Sequence, residues 1–152
     1  MNDLTIIRSA AHHHSHKGHH AHVRLLADRA TLAKRRWRGV AEDGREFGFD
    51  LEGALGHGAH FLTDGAKHYL LEQRPEEVLE ISVSTVEEAA RVAWNLGNLH
   101  FGVQVLPEAV RVAPDPAVLQ FLAREGIAFK KVNGVFLPLN AGGHHHHDHD
   151  HG

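Results

Sequence analysis

A chain of 152 residues with a formal net charge of −3, 17 histidines and no cysteine excludes several classes at once. Disulfides, thiolate metal sites and iron–sulfur clusters need cysteine, and sequence-independent nucleic-acid binding needs a basic surplus that this chain lacks. The start, Met1 to Arg8, has no apolar run of signal length, and no stretch of about 20 apolar residues follows. A cytoplasmic protein with neither a membrane nor a nucleic-acid partner is expected.

Leu4 to Ile7 reads as a short strand. A histidine-rich stretch follows, with His12, His13, His14, His16, His19, His20 and His22 interrupted by Ser15, Lys17 and Gly18, unlike the unbroken run of a purification tag. It holds too few large apolar side chains to offset the entropy of ordering it, so residues 1–30 are expected to be an N-terminal segment carrying a mobile arm. From Thr31 to Arg74 the pattern is strand-like. Asp43-Gly44 and Asp64-Gly65 are hairpin signals, and Phe47, Phe49 and Leu51 alternate as a half-buried strand does. Residues 31–74 are therefore expected to form a small all-β, partner-binding domain. Arg35, Arg36 and Arg38 are its basic cluster, a solvated edge or a weak docking patch for an acidic partner. His57, His60 and His68 are scattered and receive no role.

Arg74-Pro75-Glu76-Glu77 reads as a linker. Residues 75–140 then alternate between two periods. Val78 to Val83 is a strand, Thr85 with Glu88 (or Ser84 with Glu87) signals a capping box, and Val86, Ala89, Ala93 and Leu96 stripe a helix. Gly97-Asn98 would end that helix, and His100 would begin the next strand, on the face opposite Val103 and Val105. Val103–Leu106 and Ala109–Val112 are strands. Asp115-Pro116 opens a helix that buries Val118, Leu119 and Leu122 and stops at Gly126. Ile127–Lys131 closes the set, with Asn133-Gly134 turning it into an extra hairpin strand, Val135–Leu139. The predicted fold class is α+β, a small all-β domain followed by a ferredoxin-like βαββαβ domain with histidine-rich arms.

The most specific chemistry is in residues 141–152, where His144, His145, His146, His147, His149 and His151 alternate at the end with Asp148 and Asp150. Imidazole with carboxylate suits Ni(II), Zn(II) and Cu(II); a single methionine and no cysteine serve Cu(I) poorly. Many interchangeable ligands on a short leash favour capture and release over a closed structural site. Catalytic signatures are missing: there is no H-E-x-x-H helix, nucleophile elbow or Walker loop, so no catalytic residue is assigned. A nickel or zinc storage or buffering protein without a delivery partner is the competing reading.

Gly97-Asn98-Leu99-His100, the Val103-Gln104-Val105 strand and the histidine-rich tail resemble the urease accessory protein UreE family of nickel metallochaperones. The likeness runs from about Arg35 and includes Asp43-Gly44-Arg45-Glu46-Phe47-Gly48-Phe49-Asp50-Leu51. It implies a homodimer meeting at His100, with tail histidines such as His145, His147 and His149 completing the metal site. The others (His144, His146, His151 and the N-terminal set) would be auxiliary. It also implies delivery of Ni(II) to apo-urease through the accessory GTPase UreG. Leu99 stands where the family usually has Arg, Asn95 where His is frequent, and no His pair follows Val112.

Overall fold

The computed structural model describes residues 4–11 and 21–139. The fold is α+β, mostly sheet with few helices, and divides into two units, Met1–Pro75 and Glu76–Gly152.

The first unit is built by alternating large apolar side chains. β1 (Thr5–Ile7), β4 (Glu46–Asp50) and β3 (Arg36–Val40) form one sheet in the order β1-β4-β3. β2 (Ala21–Ala27), β6 (Lys67–Gln73) and β5 (His60–Asp64) form another in the order β2-β6-β5. Inward residues of both sheets share one core, in which Phe47 and Leu25 are fully buried and Phe49, Phe61, Tyr69 and Leu71 nearly so. Both Asp-Gly pairs turn hairpins as expected, between β3 and β4 and between β5 and β6. One helical turn, α1 (Arg29–Leu32), interrupts the strands; Asp28 caps it by accepting from the Thr31 N–H at 2.7 Å.

Two features of this unit differ from the sequence expectation. The segment 1–30 is not separate from the β-domain, because β1 pairs in parallel with β4 and β2 in parallel with β6. His22, assigned to the arm, lies on β2. The reason is that Val23, Leu25 and Ala27 alternate inward and fill the core.

The second unit runs β7 (Glu76–Ser82), α2 (Val86–Asn98), β8 (Val103–Leu106), β9 (Ala109–Val112), α3 (Pro116–Arg124) and β10 (Lys130–Gly134). Its antiparallel sheet has the order β10-β7-β9-β8. Capping fixes both helix starts: Thr85 Oγ1 accepts from the Glu88 N–H while the Glu88 carboxylate accepts from the Ser84 N–H, and Asp115 accepts from the Ala117 N–H ahead of Pro116. Val92 and Leu96 of α2 and Val118, Phe121 and Leu122 of α3 pack on Leu79, Ile81, Val110 and Val112. Val86 and Leu119, expected inside, are exposed.

The register puts Glu80, Arg111 and Gln104 side by side on the opposite, helix-free face. There Arg111 Nε donates to Glu80 at 2.8 Å and Lys130 Nζ lies 3.2 Å from the same carboxylate. These two cations, Arg111 first, hold Glu80 below the usual carboxylate range. A carboxylate with a lowered folded-state value contributes stability above its ordinary value of 4.5 and loses it as pH falls through the lower one. Glu80→Gln is therefore expected to flatten the acid limb of stability below that value, measured by urea melts between about pH 3 and 6.

The hairpin expected at Asn133-Gly134 does not form. Those residues continue β10, pairing with Glu77 and Glu76 of β7. Residues 135–139 instead cross the helix-free face toward β8. Gly134 backs onto the Arg111 guanidinium, the Leu137 N–H donates to Gln104 Oε1 at 3.3 Å, and the Leu139 N–H donates to the Val103 carbonyl at 2.7 Å. Phe136, within this strap, is buried.

Candidate metal site

His100 is placed by the way α2 ends. Leu99 is the C-cap, the His100 N–H donates to the Gly97 carbonyl at 2.9 Å, and the Phe101 N–H reaches back to Leu96 at 3.1 Å. This paired 5→2 and 6→1 closure requires a left-handed residue just past the cap, and glycine is the usual choice because it has no Cβ. The helix α3 closes identically, with Gly126 at φ 64° and bonds from Gly126 to Ala123 and from Ile127 to Leu122. At the corresponding position α2 has His100, at φ 65°, and no other non-glycine among the described residues has positive φ.

Two sequence expectations are thereby corrected. The left-handed residue is His100 itself, since Gly97 and Asn98 are still helical. Nor does His100 begin a strand: β8 starts at Val103, so strand parity does not orient it. A rigid turn presents the side chain, and the ring is exposed to solvent.

An imidazole in left-handed backbone costs about 1–2 kcal/mol over an ordinary conformation, a cost tolerated where a site needs that side chain. His100→Gly is expected to stabilise the second unit by about 1 kcal/mol, whereas His100→Ala is not. Urea denaturation of the two variants beside the parent measures the difference.

The strap runs back toward this turn. Leu139, the last described residue, is hydrogen-bonded to Val103, three positions past His100. Gly102 permits the approach, because a Cβ there would sit 3.1 Å from the Cβ of Pro138 and 3.3 Å from the Leu139 carbonyl oxygen. From Leu139 to His144 the extended chain spans at most about 18 Å. Sequence reasoning missed this strap. The closest cue was a glycine directly before β8, which marks close approach of another backbone only once the partner is known.

Among the described residues no three His, Asp or Glu side chains group to hold one ion. His144, His145, His146, His147, His149 and His151, with His12, His13, His14, His16, His19 and His20, lie outside the described residues. His22 lies on β2 in the first unit, remote in sequence from His100. Of the basic cluster, Arg36 Nε donates to Asp50 at 2.8 Å, and Arg8 contacts the same carboxylate at 3.2 Å. Arg36 and Arg38 border a shallow groove of about 280 Å³ floored by Gly48 and flanked by Leu4 and Ile6. Arg35 is exposed beside it in sequence.

Residues 76–152 match the profile of the family described as UreE urease accessory protein, C-terminal domain. The chain belongs to the UreE family. Several relatives named urease accessory protein UreE agree with it across both units. The protein from Corynebacterium efficiens is 34% identical over 116 residues, covering 74% of this chain and 77% of the relative. That from Acinetobacter baylyi is 28% identical over 123 residues, covering 80% and 77%. The Azorhizobium caulinodans protein is 30% identical over 130 residues, covering 84% of this chain and 62% of its own longer one. Membership makes this chain a urease accessory protein and not an enzyme. No helix among the described residues is long and apolar enough to cross a membrane.

Proposed function

We propose that the chain is a nickel metallochaperone that takes part in urease maturation, binding Ni(II) as cargo and delivering it for assembly of the urease active site. The observation that carries this reading is the hydrogen bond between Leu139 and Val103, which brings the last described residue to a position three residues past the exposed His100. One fixed imidazole supplied with others from a short tether makes a site that fills readily and empties readily. His145, His147 and His149 are the tail ligands in this reading, with His144, His146 and His151 auxiliary to them. Imidazole and carboxylate donors suit Ni(II), and Zn(II) and Cu(II) would compete for the same nitrogens.

The second unit is read as a ferredoxin-like metal-binding domain, supported by its β-α-β-β-α-β order and the strand order β10-β7-β9-β8. The first unit is read as the partner-binding domain, with the groove between Arg36 and Arg38 turned to an acidic surface. A homodimer would place two His100 rings at one site. Leu99, next to His100, and Val105, Leu137 and Leu139 along β8 are exposed apolar side chains that such pairing would cover. The accessory GTPase UreG and the apo-urease complex are the proposed partners, in the cytoplasm.

The test is transfer. Nickel-loaded protein mixed with apo-urease and its accessory proteins, with no free nickel, is expected to raise urease activity in proportion to the nickel lost from the chain. Retention of the metal while urease stays inactive would favour the storage reading, to which the abundance of histidine at both ends lends support.

A further inference from the structure

The first unit brings His22 together with His60 and His68, which lie some forty residues further along the chain. His22 on β2 and His68 on β6 are direct register partners in the parallel pair, with ring centroids 6.1 Å apart and planes within 14°. His60 on β5 stacks against the other side of His68, at 4.9 Å and 22°. The column lies on the outer face of the β2-β6-β5 sheet, since Val23, Leu25, Tyr69 and Leu71 alternate into the core. Its exposure is graded: His22 is exposed, His68 half-buried and His60 only 8% accessible.

We propose that His22 and His68 form a second metal site, taking a divalent cation of the borderline class, Ni(II) or Zn(II), independently of His100. Neighbouring strands stand about 4.7–4.9 Å apart. An imidazole lone pair lies in its ring plane, so the exposed His22 ring must turn out of the stack for both residues to reach one ion at about 2.0–2.1 Å, while His60 holds the ring of His68. Each imidazole can give one nitrogen to the ion while the other keeps a hydrogen bond.

His60 is the positioning residue. Its Nε2–H donates to the Leu62 carbonyl at 2.9 Å, with Thr63 Oγ1 at 3.0 Å from the same nitrogen. That fixes the ring against which His68 packs. The local field does not oppose a cation. Arg24, the next outward residue on β2, is paired with Glu42 at 2.6 Å and Glu72 at 3.2 Å, and Lys67 is paired with Asp43 at 2.8 Å. With no third protein ligand in the group among the described residues, water completes the coordination. Such a site is open and exchanges its ion quickly.

Chain connectivity supplies a rival. The Ala11 N–H donates to the His60 carbonyl and the Ala21 N–H to the Ala66 carbonyl, so the stretch carrying His12, His13, His14, His16, His19 and His20 is tied to the same hairpin at both ends. The experiment must separate the pair from that stretch. In the full-length protein, long-range proton–nitrogen spectra of the imidazoles are recorded while Zn(II), which is diamagnetic, is added. One ring nitrogen each of His22 and His68 is expected to take the coordination shift in parallel, ahead of His57, whose Nδ1 already accepts from the Gln73 N–H. In Ni(II) calorimetry the double variant His22→Ala, His68→Ala is expected to lose one class of sites, weakened roughly tenfold or more, and to keep the phase that depends on His100. Unshifted His22 and His68 nitrogens would overturn the proposal. So would a class of sites that survives the double variant and disappears only when the six histidines of 12–20 are changed to serine. If the double variant does not fold, the spectra of the parent protein decide alone.

Discussion

Replacing His100 with alanine is expected to weaken the tight phase of Ni(II) binding by roughly a hundredfold or more, since groups that merely orient metal ligands already change affinity by about 10–100-fold. Among the described residues His100 is the one imidazole whose position is set by a helix terminus and which stands exposed there. In a dimer joined at this turn the substitution removes two ligands together. The control is a chain ending at Gly143, which keeps His100 and loses the tail; it should retain a His100-dependent phase and lose the weaker set. Isothermal titration of the three proteins separates the contributions, and an unchanged tight phase in His100→Ala would remove this residue from the site. The same phase should weaken as the solution is acidified, because protons compete for imidazole nitrogens. Affinity that stayed flat from about pH 7.5 to 5.5 would contradict imidazole ligation.

The second large effect concerns stability. Phe47→Ala is expected to cost about 3–5 kcal/mol, the range for deleting a buried aromatic ring. Phe47 is fully buried and touches the rest of its core through edge-on contacts, at 5.0 Å to Phe61 and 5.2 Å to Tyr69. The Arg45 guanidinium lies over the same ring at 5.3 Å. β4, which carries Phe47, is hydrogen-bonded on both sides, to β1 and to β3, so its backbone is not free to shift into the space. For a unit of this size that loss is comparable to its whole stability. Tryptophan fluorescence makes a selective probe, because Trp37 stacks on Phe49 at 4.0 Å in the first unit while Trp94 in the second is 68% exposed. The Trp37 transition should move to markedly lower urea. A midpoint within a few tenths of molar of the parent would show that the aromatic cluster does not hold the unit together.

Local chemistry made much of this legible in advance. Asp43-Gly44, Asp64-Gly65, Thr85 with Glu88 and Asp115-Pro116 each carry their own geometric instruction within four residues, and each is obeyed. Asn133-Gly134 carries a turn signal as well, yet β7 offers both residues ladder partners, and pairing outweighs the turn. The stretch 21–27 was hidden by composition: histidine density masked the alternation of Val23, Leu25 and Ala27, which is a strand signal of the ordinary kind.

His100 shows how a residue can be singled out for a reason that does not survive. A histidine after Gly-Asn looks like the start of a strand, because glycine is the expected carrier of positive φ. Which residue takes the left-handed position depends on where the last intrahelical bond forms, and that is decided by Leu96 and Phe101 packing with the sheet.

By itself the sequence determined the donor chemistry: imidazole and carboxylate without thiolate, gathered near both chain ends and at one interior position. It also determined the alternating strand and helix order of the second unit, because periodicity and capping act within a few residues. Only the tertiary structure decided which donors become neighbours. The strap that brings Leu139 to Val103, and the register that faces His22 with His68, join residues dozens of positions apart. Contacts of that kind form when burial of the two cores sets strand order and register, and no short window of residues contains that information.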